Sequence, residues 1–278
     1  MATVVVTGAT GFLGRHMMAH LASSGLTIIT VSRQALPGVF HVQDYSQCPA
    51  GDVLIHLAEE PDRSKVNQRG EEYVQDSARV LKALASGIYR RIIYASSGVV
   101  YGDKNESACG VDSPVFATDA YSKSKLLNEQ IVLDSGGIVV RLSNLFGDGM
   151  SASNVMSDII RQLPGIGALR IRDDKPVRDY LSVSDAATAF GRLVASNYRG
   201  IVNVGTGIGT SVRALAELSL SIVGQESREI IATEPSPRPS INVLDIAETT
   251  KRIGWSPTSM LRAQLTQLIH NMANLTHE

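Results

Sequence analysis

Tyr121 and Lys125 stand four residues apart in the segment AYSKSK, residues 120–125. On a helix, this spacing places two side chains on the same face. A tyrosine hydroxyl in water releases its proton only near pH 10, so it exchanges protons poorly at neutral pH. A cation about 4 Å away would stabilise the phenolate by roughly 4 kcal/mol at an effective dielectric constant of about 20. The pair therefore predicts a proton-transfer site in which Lys125 assists Tyr121.

Two serines, Ser96 and Ser97, end the apolar run IIYASS upstream of this pair. A serine hydroxyl can hold a substrate oxygen while a tyrosine exchanges its proton. Taken alone, the Tyr121–Lys125 spacing also fits a solvated pair on a helix surface. Which of these two interpretations applies depends on the elements that position the side chains.

The N-terminal segment TVVVTGATGFLG, residues 3–14, reads as a buried strand followed by a glycine turn and a helix. A helix N-terminus offers free N–H groups and partial positive charge to a phosphate. Glycines spaced by three permit the tight turn, the close approach of a pyrophosphate and close helix packing. A plain strand–helix turn is the alternative. The predicted dinucleotide-binding residues are Gly8, Thr10, Gly11, Phe12, Leu13 and Gly14.

The tip of the second predicted strand, residues 26–31, is followed by Ser32 and Arg33. In a dinucleotide-binding unit this tip faces the adenosine ribose, where an acid would accept hydrogen bonds from a free 2′-hydroxyl. No acid stands there. Ser32 and Arg33 could instead receive a 2′-phosphate, with Arg15 as a second cation. NADP is therefore favoured over NAD, while Arg33 as a solvated loop cation is the alternative.

Strand and helix patterns alternate through the first half of the chain, which predicts right-handed β-α-β units. The predicted strands are 26–31, 40–44, 52–58, 90–97 and 138–142, and the predicted helices are 64–86 and 120–135. We expect an α/β fold: a doubly wound parallel Rossmann sheet with a smaller C-terminal α/β substrate lobe. Ligands bind beyond the carboxyl ends of such strands. The residues expected at that edge are Gly8, Ser32, Ala58, Ser97 and Asn144.

The regular alternation loosens after Gly149, so we place a boundary there. Residues 1–149 form the predicted dinucleotide-binding domain, and residues 178–205 return to it. Residues 150–177 and 206–278 form the predicted substrate lobe. Within the returning segment, Ser184 or Asp185 is expected to cap a helix that runs through Val194.

Composition restricts the classes of protein that the chain can belong to. The net charge of −1 gives no electrostatic case for nucleic acid or an anionic membrane. No stretch is long and apolar enough to span a bilayer, and no basic, apolar signal segment opens the chain. Cys48 and Cys109 make no metal or disulfide framework, so we expect a cytoplasmic protein without a metal site.

Seven motifs, in order and over nearly the whole chain, resemble those of one family. They are TGATGFLG (7–14), HLA (56–58), SSGVVYG (96–102), YSKSK (121–125), RLSNLFG (141–147), RDYLSVSD (178–185) and GWSP (254–257). The chain resembles the extended short-chain dehydrogenases/reductases, in the NAD-dependent epimerase/dehydratase-like branch that acts on nucleotide sugars. The resemblance implies a homodimer formed through the helices near residues 64–86 and 120–135.

The resemblance also implies roles for individual residues. Ser97 would be the catalytic hydroxyl, with Ser96 as the fallback, and Lys125 would also bind the nicotinamide ribose. Asn144 would contact the substrate, and Arg178 and Arg238 would bind the diphosphate of a nucleotide sugar. Arg178 paired with an acid, and Arg238 as a solvated cation, are the alternatives. The remaining implied cofactor contacts are Asp44, Tyr45, Leu57 and Ala58.

Departures from the family pattern narrow the activity. Gly98 and Val99 occupy the place of the Asp-Glu pair of dehydratases. Because neither side chain can carry a proton, this departure argues against a 4,6-dehydratase. Glu59 and Glu60 replace the small residues usual after the HLA-type motif. With no acid after the second strand, we expect an NADPH-dependent reductase of a nucleotide-linked 4-keto-6-deoxy sugar. The alternatives are an NAD-dependent nucleotide-sugar 4-epimerase and a non-catalytic dinucleotide sensor.

Overall fold

The computed structural model describes residues 2–275. Its strands, in chain order, are β1 (Thr3–Thr7), β2 (Thr27–Ser32), β3 (Phe40–His41), β4 (Gly51–His56), β5 (Tyr89–Ser97), β6 (Ile138–Leu142), β7 (Asn144–Phe146), β8 (Leu169–Ile171), β9 (Val177–Ser182), β10 (Gly200–Val204), β11 (Gly209–Ser211), β12 (Ile230–Ala232) and β13 (Ile241–Asn242). Its α-helices are α1 (Phe12–Leu21), α2 (Arg63–Arg69), α3 (Glu71–Leu84), α4 (Ala120–Asp134), α5 (Val155–Gln162), α6 (Val183–Ala195), α7 (Val212–Ile222), α8 (Ala247–Ile253) and α9 (Leu261–Leu275). Short 3-10 turns cover Tyr45–Gln47 and Gly98–Tyr101.

Seven parallel strands form the main sheet in the spatial order β10-β6-β5-β4-β1-β2-β3. The order reverses between β1 and β4, which leaves a crevice at the carboxyl ends of these two strands. Val4, Val5 and Val6 of β1 are fully buried, as expected for a central strand covered on both faces. The predicted doubly wound Rossmann-like α/β fold is confirmed.

Alternate residues of β1 enter two separate cores. Val4 and Val6 pack on the side of α1 and α6, where Met17, Leu21 and Phe190 are buried. Val5 packs on the side of α3 and α4, with Leu54, Leu81 and Val132. This alternation follows from the two-residue period of a strand, and it fixes one helical layer on each face. No helix within residues 2–275 combines the length and apolar character needed to cross a membrane.

A further core belongs to the C-terminal part of the chain. Strand β9 pairs with β7 and β13 in parallel and with β11 antiparallel, while β8 pairs with β12. Helices α5, α7 and α9 cover these strands through buried residues such as Met156, Ile159, Leu215 and Leu265. The segment expected to return to the first domain divides: β9 lies in the smaller sheet, and β10 joins the main sheet. The domain boundaries themselves stay a prediction.

Three local expectations were wrong. The helix expected over residues 64–86 is two helices, because Gly70 adopts a φ of +59° and ends α2 before α3 begins. The expected strand 40–44 is two residues long, because the Asp44 side chain caps the turn at Tyr45–Gln47. Helix α6 begins at Val183, after Ser182, and the Asp185 carboxylate instead accepts hydrogen bonds from Thr258 and Ser259.

Candidate active site

The turn after β1 brings a helix N-terminus to the crevice. Gly8 has a φ of +72°, and a Cβ there would lie 2.9 Å from the backbone of Leu57 and Ala58. A Cβ on Gly14 would lie 2.2 Å from the Gly8 carbonyl oxygen, so α1 packs against the turn as only glycine permits. Within residues 2–275, no side chain caps the first N–H groups of α1. These groups suit the oxygens of a pyrophosphate.

A cavity of about 1000 Å³ opens from this turn and runs across the carboxyl ends of the strands. Most residues expected to form the site line it. They are Gly8, Thr10, Gly11, Phe12, Leu13, Gly14, Arg33, Asp44, Tyr45, Leu57, Ala58, Ser96, Ser97, Tyr121, Lys125 and Asn144. The lining reaches from Arg33 to the residues of β7, so the cavity could hold a dinucleotide and a second molecule.

Arg33, Asp44, Tyr45 and Arg79 line the predicted adenosine end of the cavity. The Arg33 guanidinium lies 5.3 Å from the centroid of the Tyr45 ring. The Asp44 carboxylate accepts hydrogen bonds from Arg79 at 2.8 Å and from the Ser46 N–H at 2.9 Å. Arg79, followed by Ser46, holds the pKa of Asp44 well below its usual value. The negative charge at this end is therefore already compensated by Arg79, while the Arg33 guanidinium stacks on an aromatic ring.

Ser32 lies behind this surface. Its side chain is 5% exposed, and its hydroxyl accepts a hydrogen bond from the Gln34 N–H at 2.9 Å. It shapes the turn that presents Arg33, and it lies outside the set of described residues that line the cavity.

Helix α4 presents Tyr121 from its first turn. The Asp119 carboxylate accepts the Ser122 N–H at 2.9 Å, and the Ser122 hydroxyl accepts the Asp119 N–H at 3.0 Å. This capping box makes Asp119 the N-cap of α4. Burial alone would raise the pKa of Asp119, but hydrogen bonds from Ser122, Asn67 and Arg63 lower it to about 2. Asp119 is thus a charged anchor at the start of the helix that carries Tyr121.

Lys125 follows one turn later on the same helix, and its ammonium lies 5.7 Å from the centroid of the Tyr121 ring. Lys125 Nζ donates to Glu59 Oε2 at 2.5 Å and to the Ala95 carbonyl oxygen at 3.0 Å. Both side chains of the ion pair are 8% exposed. Burial alone would lower the pKa of Lys125, but Glu59 raises it well above its usual value. Lys125 is therefore a fixed cation beside Tyr121.

Glu59 is held by two further side chains. The Tyr94 hydroxyl donates to Glu59 Oε2 at 2.9 Å, and Asn128 Nδ2 donates to Glu59 Oε1 at 2.7 Å. Burial alone would raise the pKa of Glu59, but the charge of Lys125 outweighs it and lowers the value. Sequence reasoning flagged Glu59 as a departure from the family pattern and missed this contact, because Lys125 lies far along the chain.

The two serines at the end of β5 differ in their partners. The Ser96 hydroxyl is buried and donates to Glu129 Oε1 at 2.5 Å. Glu129 also forms a buried ion pair with Arg141, so Ser96 belongs to a structural network. The Ser97 hydroxyl accepts the Val99 N–H at 3.2 Å, which leaves its own proton available to a ligand.

The opposite end of the cavity meets the C-terminal lobe. Asn144 is exposed on β7, which pairs with β9 at Tyr180. Ser143 and Tyr180 also line the cavity, and their hydroxyls are buried without a hydrogen-bond partner within residues 2–275. Sequence reasoning did not select these two residues.

Arg178 and Arg238 lie outside the set of described residues that line this cavity. The Arg178 guanidinium is directed to Ser240, donating to its carbonyl oxygen at 2.7 Å and its hydroxyl at 2.9 Å. Arg238 is exposed and lines a separate recess of about 570 Å³ with Lys104. The structure therefore does not bring these two arginines together with Tyr121 and Lys125.

The residues present fit a nicotinamide dinucleotide. The glycine turn leaves room that a Cβ would fill, the first turn of α1 is uncapped, and Lys125 has a third N–H donor for a ribose hydroxyl. When bound, such a group supplies hydride transfer. The fold and this site define an NAD(P)-dependent oxidoreductase of the extended short-chain dehydrogenase/reductase type.

The chain belongs to the NAD dependent epimerase/dehydratase family, whose family model matches residues 4–205. The resemblance inferred from the seven motifs is thereby confirmed. GDP-6-deoxy-D-mannose reductase of Pseudomonas aeruginosa is 28% identical over an alignment of 309 residues with gaps, and the match covers 98% of this chain and 98% of that protein. dTDP-6-deoxy-L-talose 4-dehydrogenase (NAD(P)(+)) of Kitasatospora kifunensis is 26% identical over an alignment of 302 residues with gaps, and the match covers 96% of this chain and 94% of that protein.

A solved structure gives the same architecture. RMD from Pseudomonas aeruginosa, complexed with NADPH, has a TM-score of 0.84 and 24% sequence identity to this chain. The match covers 99% of this chain and 100% of that chain. At this identity the structural match supports the fold alone.

Proposed function

We propose that this protein is an NADPH-dependent reductase of a nucleotide-linked 4-keto-6-deoxy sugar. When bound, NADPH supplies the hydride for the ketone carbon. Tyr121 donates its hydroxyl proton to the oxygen, which would otherwise become an alkoxide, and Ser97 holds that oxygen through its free hydroxyl proton. Lys125 binds the nicotinamide ribose with its remaining N–H donor and stabilises the phenolate that Tyr121 leaves behind.

The observation that carries the choice of NADPH is the position of Arg33. It lies at the tip of β2, faces the cavity and has no acidic neighbour at position 32. The nearby carboxylate, Asp44, is paired with Arg79. A 2′-phosphate would therefore meet a guanidinium and no uncompensated negative charge, which favours NADP over NAD. A reductase that exchanges NADPH in every turnover fits this arrangement better than an epimerase that retains NAD.

On the substrate side, we propose that Asn144 contacts the sugar, because it is exposed in the part of the cavity lined by the lobe. Arg178 and Arg238 stay predictions as diphosphate ligands. For Arg178 this role would require its guanidinium to leave Ser240 when the substrate binds. The predicted homodimer, formed through α2, α3 and α4, and the predicted cytoplasmic location also stay predictions. Sedimentation velocity tests the dimer, because a mass that stays monomeric at all concentrations would contradict it.

The proposed cofactor is tested by calorimetric titration of the protein, freed of copurified nucleotide, with NADPH and with NADH. Binding of NADPH should be about 10- to 100-fold tighter, as expected for one charge-assisted contact of about 1.5–3 kcal/mol. The Arg33→Ala variant should lose this preference, whereas Arg172→Ala, an exposed arginine of the lobe, should keep it. Stoichiometric copurified NAD, or a preference for NADH, would reject the NADPH proposal and favour the 4-epimerase.

A further inference from the structure

Lys125 does not face Tyr121 as an isolated cation. Its ammonium has three N–H donors, of which one binds Glu59 and one binds the Ala95 carbonyl oxygen. The partner carboxylate lies 2.5 Å away and is equally buried. Together the two groups carry no net charge, so the field that reaches the Tyr121 ring is that of a close ion pair. Such a field falls off faster with distance than the field of a single charge.

The buried titratable side chains around this ion pair are neutral at pH 7, so they add no charge to it. Burial lowers the pKa of His56 to about 4, so this residue is neutral. Burial raises the pKa of Tyr94 well above its usual value and that of Tyr73 to about 12, so both stay protonated. Asn128 is uncharged, and Glu60 makes its contact with the Asp62 N–H. The facing groups, from β4, β5, α3 and α4, are His56, Tyr94, Tyr73, Lys125 and Tyr121.

The Glu59 carboxylate is held in place by hydrogen bonds from three side chains. Tyr94 and Lys125 bind one carboxylate oxygen, and Asn128 binds the other. A buried carboxylate with this number of donors is held in one position.

We propose that Glu59 is a positioning residue that compensates the charge of Lys125 and thereby weakens the stabilisation that Lys125 gives to negative charge on the Tyr121 oxygen. This inference rests on the proposed function, because it assumes a reductase. A reductase needs Tyr121 as a proton donor, whereas an epimerase also needs its phenolate as a proton acceptor. A compensated lysine stabilises phenolate less than a free one. Glu59 therefore biases the site toward donation of a proton to a carbonyl oxygen.

The inference is tested by ultraviolet titration of the phenolate, with the Tyr121→Phe variant subtracted so that the signal of Tyr121 is isolated. Removal of the carboxylate in Glu59→Gln should shift the midpoint to lower pH by about one unit or more, because Lys125 is then uncompensated. Glu59→Asp keeps the charge and should return the midpoint toward that of the wild type. The double variant Glu59→Gln/Lys125→Met removes both charges and should titrate no lower than the wild type.

Identical midpoints in the wild type and Glu59→Gln would overturn the inference, and so would a shift that persists in the double variant. If Glu59→Gln fails to fold, Glu59→Met takes its place, because it also removes the carboxylate while Lys125 stays, and it should give the same downward shift. This titration needs neither substrate nor NADPH. Its failure is therefore distinguishable from a failure of the proposed function, which the cofactor titration reports.

Discussion

The side-chain oxygen of Asn67 accepts a hydrogen bond from the backbone N–H of Tyr121, with 3.0 Å between the two atoms. The amide nitrogen of Asn67 donates to the Asp119 carboxylate at 2.9 Å. Helix α2 thus grips the first turn of α4, where the N–H groups of a helix have no partner of their own. Tyr121 therefore lies at a helix end that is fixed both by its own capping box and by Asn67 of α2.

Substitution Tyr121→Phe should abolish proton donation while the fixed helix end persists. Turnover of a nucleotide-linked 4-keto-6-deoxy sugar, followed by loss of NADPH absorbance, should fall by about 100- to 10,000-fold. NADPH affinity should change by less than about threefold, since the phenol adds no phosphate contact. The control is Tyr198→Phe, which removes a hydroxyl that binds the Ile201 carbonyl oxygen far from the cavity. Near wild-type turnover in the Tyr121→Phe variant would refute the assignment.

Substitutions of the two serines should have opposite signatures. Ser97→Ala should reduce kcat by about 100- to 1000-fold, because it removes the hydroxyl proposed to hold the reacting oxygen. Ser96→Ala should leave kcat close to that of the wild type and lower the free energy of unfolding by about 1 kcal/mol, because it removes the contact with Glu129. Steady-state kinetics and urea denaturation of both variants provide the comparison. The reverse pattern would assign the catalytic hydroxyl to Ser96.

His56 should make the protein less stable in acid. Its folded-state pKa of about 4 lies below the ordinary value of 6.5, so the unfolded chain binds a proton that the folded protein excludes. The contribution is fully present above pH 6.5 and is lost as the pH falls toward 4. Between pH 6.5 and pH 4, the free energy of unfolding should fall by about 2–3 kcal/mol more in the wild type than in His56→Gln.

The measurement is urea denaturation at a series of pH values, with His41→Gln as the control. His41 is exposed on β3, at the edge of the main sheet. Its variant should follow the wild-type curve. Parallel curves for the wild type and His56→Gln would show that the buried imidazole does not contribute to acid instability.

Gly14→Ala should damage both the stability and the binding of the dinucleotide. The added methyl group would lie 2.2 Å from the Gly8 carbonyl oxygen, which is backbone and cannot move alone. We expect a loss of about 2–3 kcal/mol in unfolding free energy and weaker NADPH binding, because α1 is pushed off the turn. Gly167→Ala is the matched control, since its Cβ would meet no atom within 4 Å. Equal stability of the two variants would contradict the close approach of α1.

Local signals in the sequence were sufficient for the sheet, the glycine turn and the Tyr121–Lys125 face. The β-branched runs have the composition of buried strands. Asp119, a residue type that favours the N-cap position, directly precedes the predicted helix 120–135. The contact between Glu59 and Lys125 could not be predicted in this way, because it depends on how the segment after β4 meets α4 across the fold. The same holds for Arg178, whose guanidinium finds Ser240 through the pairing of β9 with β13.

Strand β10 completes the edge of the main sheet beside β6, although in the chain it follows three strands of the smaller lobe. Helix α6, just before it, covers the face that holds α1. A C-terminal cassette exchanged at residue 150 would therefore replace a strand and a helix of the nucleotide-binding half, so that β6 and α1 would have to pack against elements of another parent. Recombination between relatives that aims to change the sugar must cross over at several points. It must replace the segments on either side of residues 183–204 and keep that stretch from the parent.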